Sequence, residues 1–243
     1  MSRTRLDERP IVLRYFPAVG RAQALRHALA ASGVDFEDVR IPMSDWARVK
    51  EDVGLAGPYR GLPTLQCGST TLAETLPIAS FLARKLGQYD GMTDARMAQL
   101  EALCSVAYLD VIRPAAEGIW ADVLYPGVDQ SASYPRALSR ALQKGSYIEA
   151  TLPEHGWFGG EHPSVADFFV AEAVEALRHV LGQAREGKLS ARLPRLASFA
   201  ARVRARPTLA AAFQNRPDRL TGRPDEPAAL DRLRAIDLSA LGL

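Results

Sequence analysis

The side chain in this sequence best placed to do chemistry is Tyr15. It closes the short β-rich apolar run Ile11-Val12-Leu13-Arg14-Tyr15-Phe16, which Pro17 and Gly20 end, so it stands where a buried strand gives way to a loop and a helix start. A phenol in that place is a hydrogen-bond donor able to point into a cleft and stabilise an anion. Spacing alone makes an ordinary core or edge aromatic the simpler reading, so the company Tyr15 keeps has to decide. Thr75 is a second candidate: it is the expected N-cap of a helix starting at Leu76, where exposed amides, the helix dipole and the hydroxyl together can bind a carboxylate. Pro77 is tolerated in that first turn because no intrahelical donor is lost there. The turn Tyr15-Phe16-Pro17-Ala18 contains no Cys, which disfavours thiol exchange by the protein itself. Cys67, in a predicted strand, and Cys104, in a predicted helix, read as packing residues with no disulfide between them. No His/Cys cluster has metal-ligand spacing, and no metal is implied.

Two kinds of periodicity must position these groups. After the first strand, Ala22 to Ser32 carries Leu25, Ala28 and Leu29 on one helical face, with Gly33 at the expected left-handed cap. Val34, Phe36 and, after a phase slip, Val39 and Ile41 suggest a second strand, and the resulting β-α-β crossover predicts parallel pairing. Thr64 to Cys67 and Thr70 to Ala73 flank Gly68-Ser69, a two-residue connection suited to an antiparallel hairpin. A helix from Leu76 to Leu86 closes at Gly87. The order β-α-β then β-β-α is that of a thioredoxin-like sheet, expected over residues 9–87, with residues 88–93 as linker. Residues 94–243 read as an all-helical domain: Ala, Leu and Arg recur at three- and four-residue spacings, Pro114 should kink or end the first long helix, and helices resume near Pro135 to Thr151, Val165 to Leu181 and Pro194 to Arg206, with a short one after Pro207.

The bulk numbers narrow the partners. With 243 residues, 47% apolar and 24% charged, the chain can bury a sizeable core. Lys and Arg total 30 against 28 Asp and Glu, interspersed along most of the chain, so neither nucleic acid nor an anionic membrane is an expected partner. The basic stretch Arg192 to Arg206 alternates with apolar residues and reads as a solvated helix face. Met1 to Pro10 is charged and lacks an apolar core, and no run reaches the roughly 18 apolar residues that span a bilayer, so a cytoplasmic location is expected.

Four local patterns, in this order, resemble the cytosolic glutathione transferases of the tyrosine type, the sigma, alpha, mu and pi classes. They are Leu13-Arg14-Tyr15-Phe16 with Gly20-Arg21-Ala22; Ser44-Asp45-Trp46 with Lys50; Gly61-Leu62-Pro63-Thr64-Leu65; and Ala73-Glu74-Thr75-Leu76-Pro77-Ile78. Pro163-Ser164-Val165-Ala166-Asp167-Phe168 is similar to the family's capping box, a folding motif in which Asp167 reaches back to the Ser164 amide. The resemblance covers roughly Ile11 to Phe213. Gly61 stands where a larger polar residue is common and Glu74 where the nearest classes carry Gln, departures that bear on subclass.

The resemblance implies a cytoplasmic homodimeric detoxification enzyme, a glutathione S-transferase that joins glutathione, as cosubstrate, to a small hydrophobic electrophile. A free thiol titrates near pH 8.5, and lowering that value by about two units corresponds to roughly 2.7 kcal/mol in favour of the anion. One hydrogen bond to a charged group, worth roughly 1.5 to 3 kcal/mol, is of the right order for part of this. Tyr15 would donate it. Arg21 would add positive potential near the sulfur or, alternatively, tie the first helix to the second domain by a salt bridge. Trp46 and Lys50 would meet the glycine end of glutathione; Leu62, before a cis Pro63, would pair its backbone with the cysteinyl unit; Glu74 and Thr75 would take the γ-glutamyl ammonium and carboxylate. Phe16, Tyr108, Ile112 and Trp120 would line the electrophile pocket, Asp110 would face the glutathione of the partner subunit, and the Pro-rich tail after Pro217 would fold over the pocket or trail. Isomerisation, peroxide reduction and ether cleavage start from the same thiolate, and a noncatalytic binding or structural protein on this scaffold is the alternative from another class.

Overall fold

The computed structural model describes residues 6–125 and 127–243. The apolar run becomes β1 (Ile11–Tyr15), the centre of the sheet and buried along nearly its whole length. Burial on both faces is why its sequence is a continuous apolar run instead of an alternation. α1 (Gln23–Ala31) follows and ends at Ser32, with Gly33 at φ 69° donating its N–H to the Ala30 carbonyl. β2 (Glu37–Arg40) pairs parallel with β1, as the crossover predicts, but starts later than expected. Val34 and Phe36 precede it and pack onto the core from the connection instead. Past its end, the Ile41 N–H still donates to the Tyr15 carbonyl at 2.8 Å, so the backbone of Tyr15 is held to the last residue of the strand.

A 3₁₀ turn (Met43–Asp45) leads into two short helices, α2 (Trp46–Val49) and α3 (Val53–Ala56). β3 (Thr64–Cys67) and β4 (Thr70–Ala73) form the expected hairpin about Gly68 and Ser69, with β3 antiparallel to β1. The sheet order is β2-β1-β3-β4, and α4 (Thr75–Lys85) completes the half.

Helices account for the rest. α5 (Asp94–Ser105), a π-helical stretch (Val106–Ile112) and α6 (Arg113–Leu124) form one uninterrupted helical run. Pro114 therefore does not end the first long helix. It falls in the first turn of α6, directly after the widened π turns, where its missing N–H costs no α-helical bond. α7 (Ser133–Ala150), α8 (Val165–Leu181), α9 (Gln183–Arg192) and α10 (Pro194–Arg204) follow, then a 3₁₀ turn (Pro207–Leu209), α11 (Ala210–Gln214), α12 (Glu226–Arg234) and a last 3₁₀ turn (Ser239–Leu241). α8 is the axis of this half and is buried almost all round, with Phe168 and Phe169 among the largest fully enclosed side chains. Its start is fixed by Asp167, which is wholly buried and accepts from the Ser164 N–H at 2.7 Å, the Ser164 hydroxyl at 2.8 Å and the Phe158 N–H at 2.9 Å. α1 packs against α8, so the sheet and the helices share one continuous apolar core running from Leu13 and Leu25 to Phe168 and Leu177.

Candidate active site

Tyr15 is fixed from three directions. Its backbone is paired through Ile41, its ring lies 5.4 Å from that of Phe16, and its hydroxyl accepts a hydrogen bond from the Arg21 N–H at 3.1 Å. The loop between strand and helix is pinned by a buried residue that sequence reasoning passed over. Arg26 donates to the Ala18 carbonyl at 2.7 Å and the Phe16 carbonyl at 3.4 Å while pairing with Asp38 at 3.0 Å. Gly20 makes the close approach possible: at φ 22° it carries no Cβ, and a Cβ there would sit 2.6 Å from the Tyr15 hydroxyl. Burial raises the Tyr15 pKa above its ordinary value, against smaller opposing effects of the Arg21 amide and charge and of Arg26. The phenol is thus protonated at neutral pH. The hydroxyl accepts from the Arg21 amide and donates to no group among the described residues, so its proton is free for an acceptor in the cavity.

That cavity has a volume of about 990 Å³ and lies between β1, α2 and the π-helix–α6 run. Its wall includes Tyr15, Phe16, Arg21, Trp46, Lys50, Leu62, Tyr108, Ile112 and Trp120 from the sequence-based set. Phe16 and Trp46 meet edge to face at 5.4 Å, so an aromatic row runs from Tyr15 to α2. The π-helix turns Tyr108 and Ile112 toward this space, and Tyr108 packs edge-on to Phe169 of α8. Arg21 takes no part in any ion pair among the described residues, which leaves its exposed guanidinium to the cavity.

Pro63, Glu74 and Thr75 stand outside this wall, at the neighbouring corner of β3 and α4. The Leu62–Pro63 peptide is cis, and among the described residues neither the N–H nor the C=O of Leu62 has a hydrogen-bond partner. The helix begins one residue earlier than expected: Glu74, at φ 72°, occupies the N-cap position and Thr75 is the first helical residue. Thr75 is therefore not the cap. Its hydroxyl is buried and unpaired among the described residues, an orphan group at a helix N-terminus that suits a ligand carboxylate. Gly61 and Glu74, the two departures noted in sequence, face one another: a Cβ on Gly61 would lie 3.8 Å from the Glu74 carboxylate. Asp110 lies outside the cavity and pairs with Lys144 of α7 at 3.0 Å, half exposed.

The tail after Pro217 supplies a fourth wall, the first of the two alternatives its sequence left open, though its individual residues were not named there. Leu220, Thr221 and Arg223, from the segment after α11, line the cavity, and the Arg223 guanidinium lies 5.8 Å from the ring centre of Trp120. The tail thus folds over the pocket. Gly20, Met43, Arg113 and Glu117 are also among the lining residues. Among the described residues there is no group of three or more His, Cys, Asp or Glu suited to a metal ion, and no helix long and apolar enough to cross a membrane.

A thioredoxin-like sheet and a helical half enclose the cleft over the end of β1. Family models agree: "Glutathione S-transferase, N-terminal domain" matches residues 11–84 and "Glutathione S-transferase, C-terminal domain" residues 130–216. The chain belongs to the cytosolic glutathione transferase family. It is 27% identical to a hematopoietic prostaglandin D synthase of Gallus gallus, over 84% of this chain and 96% of that protein. It is 26% identical to an S-crystallin of Nototodarus sloanii, over 84% and 95%. Among solved structures, a glutathione transferase of the hookworm Necator americanus superposes with a TM-score of 0.68 at 21% identity, over 85% of this chain and 97% of that one.

Proposed function

We propose that this protein is a glutathione S-transferase that conjugates glutathione to a small hydrophobic electrophile through a thiolate held by Tyr15. The observation that carries the reading is the Tyr15 hydroxyl, kept protonated by burial and accepting from the Arg21 amide, at the wall of a cavity of about 990 Å³. Glutathione would lie across the cleft. The Thr75 hydroxyl and α4 N-terminus take its γ-glutamyl carboxylate and Glu74 its ammonium, the unpaired Leu62 backbone meets the cysteinyl unit, and Trp46 with Lys50 meet the glycine carboxylate. The thiol proton leaves to solvent and Tyr15 stabilises the anion. The sulfur lone pair then forms a C–S bond to the electrophile, and either a leaving group departs with the bonding pair or the resulting carbanion takes a proton from water. Phe16, Tyr108, Ile112 and Trp120 supply the apolar surface for that partner. In a homodimer, Asp110 would turn toward the glutathione of the partner subunit.

The deciding experiment is an ultraviolet titration of the thiol of bound glutathione, comparing the parent with Tyr15→Phe. The parent should show a midpoint about two units below the free thiol, and the variant a midpoint raised by roughly one to two units. A thiol that titrates normally in the parent supports the second reading, a binding protein without turnover, which the similarity to an S-crystallin makes specific. An acidic thiol without conjugating activity supports another use of the same thiolate, isomerisation, peroxide reduction or ether cleavage, and one relative is named a prostaglandin D synthase.

A further inference from the structure

The matched C-terminal family domain stops at residue 216, yet the chain continues and returns to the site. There it pairs with the loop that carries the Tyr15 hydrogen bond: the Val19 N–H donates to the Arg219 carbonyl at 2.9 Å and the Gly20 N–H to the Leu220 carbonyl at 3.0 Å. Gly20 is pressed between the two elements, since a Cβ on it would meet the Tyr15 hydroxyl at 2.6 Å and the Leu220 carbonyl at 2.9 Å. The other side of the returning segment is held by one carboxylate. Glu226, in the first turn of α12 and with its side chain 1% exposed, accepts from the Leu220 N–H at 2.7 Å, the Thr221 N–H at 2.8 Å, the Thr221 hydroxyl at 2.6 Å and His179 Nε2 of α8 at 2.7 Å. Burial pushes this carboxyl upward, but the four donors outweigh it and hold its pKa at about 2, so the clamp is anionic at neutral pH.

We infer that Glu226 is a positioning residue for Tyr15: by clamping Arg219–Thr221 against α8 it fixes the Val19-Gly20-Arg21 turn, whose amide orients the phenol, and so sets the acidity of a bound thiol. The last step of this chain rests on the proposed role of Tyr15; the earlier steps do not. One carboxylate accounts for every hydrogen bond that the Leu220 and Thr221 amides and the Thr221 hydroxyl donate, so its loss leaves three donors unpaired beneath the cavity floor.

The test uses full-length protein and three variants, Glu226→Ala, Glu226→Gln and Thr221→Val, with thermal melts to establish that each is folded at the assay temperature. In ligand-free protein, Glu226→Ala should speed hydrogen exchange at the Val19 and Gly20 amides by about tenfold or more, while the α8 amides stay unchanged. In the glutathione complex, the thiol titration midpoint should rise by roughly 0.5 to 1 pH unit, with kcat reduced several-fold and KM for glutathione within about twofold. Glu226→Gln and Thr221→Val, which keep the shape of the clamp, should move both readouts the same way by less, and they decide the matter if Glu226→Ala does not fold. Unchanged exchange in folded variants overturns the inference. Faster exchange with an unmoved thiol midpoint also overturns it, reducing Glu226 to a structural clamp. Should the parent itself bind glutathione without an acidic thiol, the proposed role of Tyr15 fails and the exchange readout alone reports whether Glu226 holds the turn.

Discussion

A phenol can serve a thiolate only if it keeps its proton and does not spend it elsewhere. Burial secures the first condition for Tyr15, and the second holds because its hydroxyl accepts from the Arg21 amide and donates to no group among the described residues. Removing the hydroxyl leaves this geometry otherwise intact, so Tyr15→Phe should lower kcat/KM by roughly 10- to 100-fold, the kinetic equivalent of a hydrogen bond to a charged group, with an unchanged melting profile. Gly20→Ala tests the same geometry from behind. Its new methyl has to displace either the Tyr15 hydroxyl or the Leu220 carbonyl, and the residue sits at φ 22°. Activity should fall by about tenfold or more, alongside a stability loss of roughly 1 to 3 kcal/mol in denaturant titration.

Elements act here through where they start and stop. β1 ends at Tyr15 because Pro17 and Gly20 close the strand, and α8 starts at Val165 because the buried Asp167 carboxylate gathers three donors at its first turn. Asp167→Ala would strand the Ser164 and Phe158 amides inside the core. The expected cost is about 2 to 4 kcal/mol of stability at neutral pH with little change in the kinetics of the folded fraction, measured by chemical unfolding beside steady-state assays. The π-helical stretch does different work: its wider turns set the phase at which Tyr108 and Ile112 reach the cavity and deliver Pro114 to the first turn of α6.

At the scale of the molecule, the two halves share one core, and a buried histidine sits at their junction. His27 of α1 is fully buried beside Phe168 and Phe213, and its pKa is held at about 3, chiefly by burial and further by the Arg216 and Arg26 guanidiniums. Glu172 approaches its Nδ1 at 3.5 Å without a hydrogen bond and is already paired with Arg216, so it does not reverse this. The folded state therefore refuses a proton that the unfolded chain accepts near pH 6.5. Stability is full above that pH and falls as pH drops from about 6.5 toward 3, at up to roughly 1.4 kcal/mol per pH unit. Glu226 has the opposite chemistry and the same sign: its depressed pKa contributes stability above about 4.5 that is lost toward pH 2. Of these two groups only His27 acts between pH 6.5 and 4.5, so unfolding curves across that interval should show a slope in the parent that His27→Gln flattens.

Features legible from residue order are those that depend on neighbours along the chain. The strand before Pro17, the hairpin about Gly68 and Ser69, the capping box of α8 and the candidacy of Tyr15 all follow from residues within a few positions of each other. Even the misses here were local: Thr75 and Glu74 exchange the cap position by one residue, and β2 starts after the apolar pair that announced it. The rest came with folding. Arg26 gives no sign in sequence that its guanidinium will hold the carbonyls of Phe16 and Ala18, nor do Gly61 and Glu74 show that they face one another. Leu220 reaches Gly20, two hundred residues away in the chain, through amides whose pairing leaves no trace in residue type. Backbone hydrogen bonds and close packing are indifferent to sequence separation, whereas every sequence pattern is a statement about nearby positions; contacts of the first kind become visible only when the chain has folded.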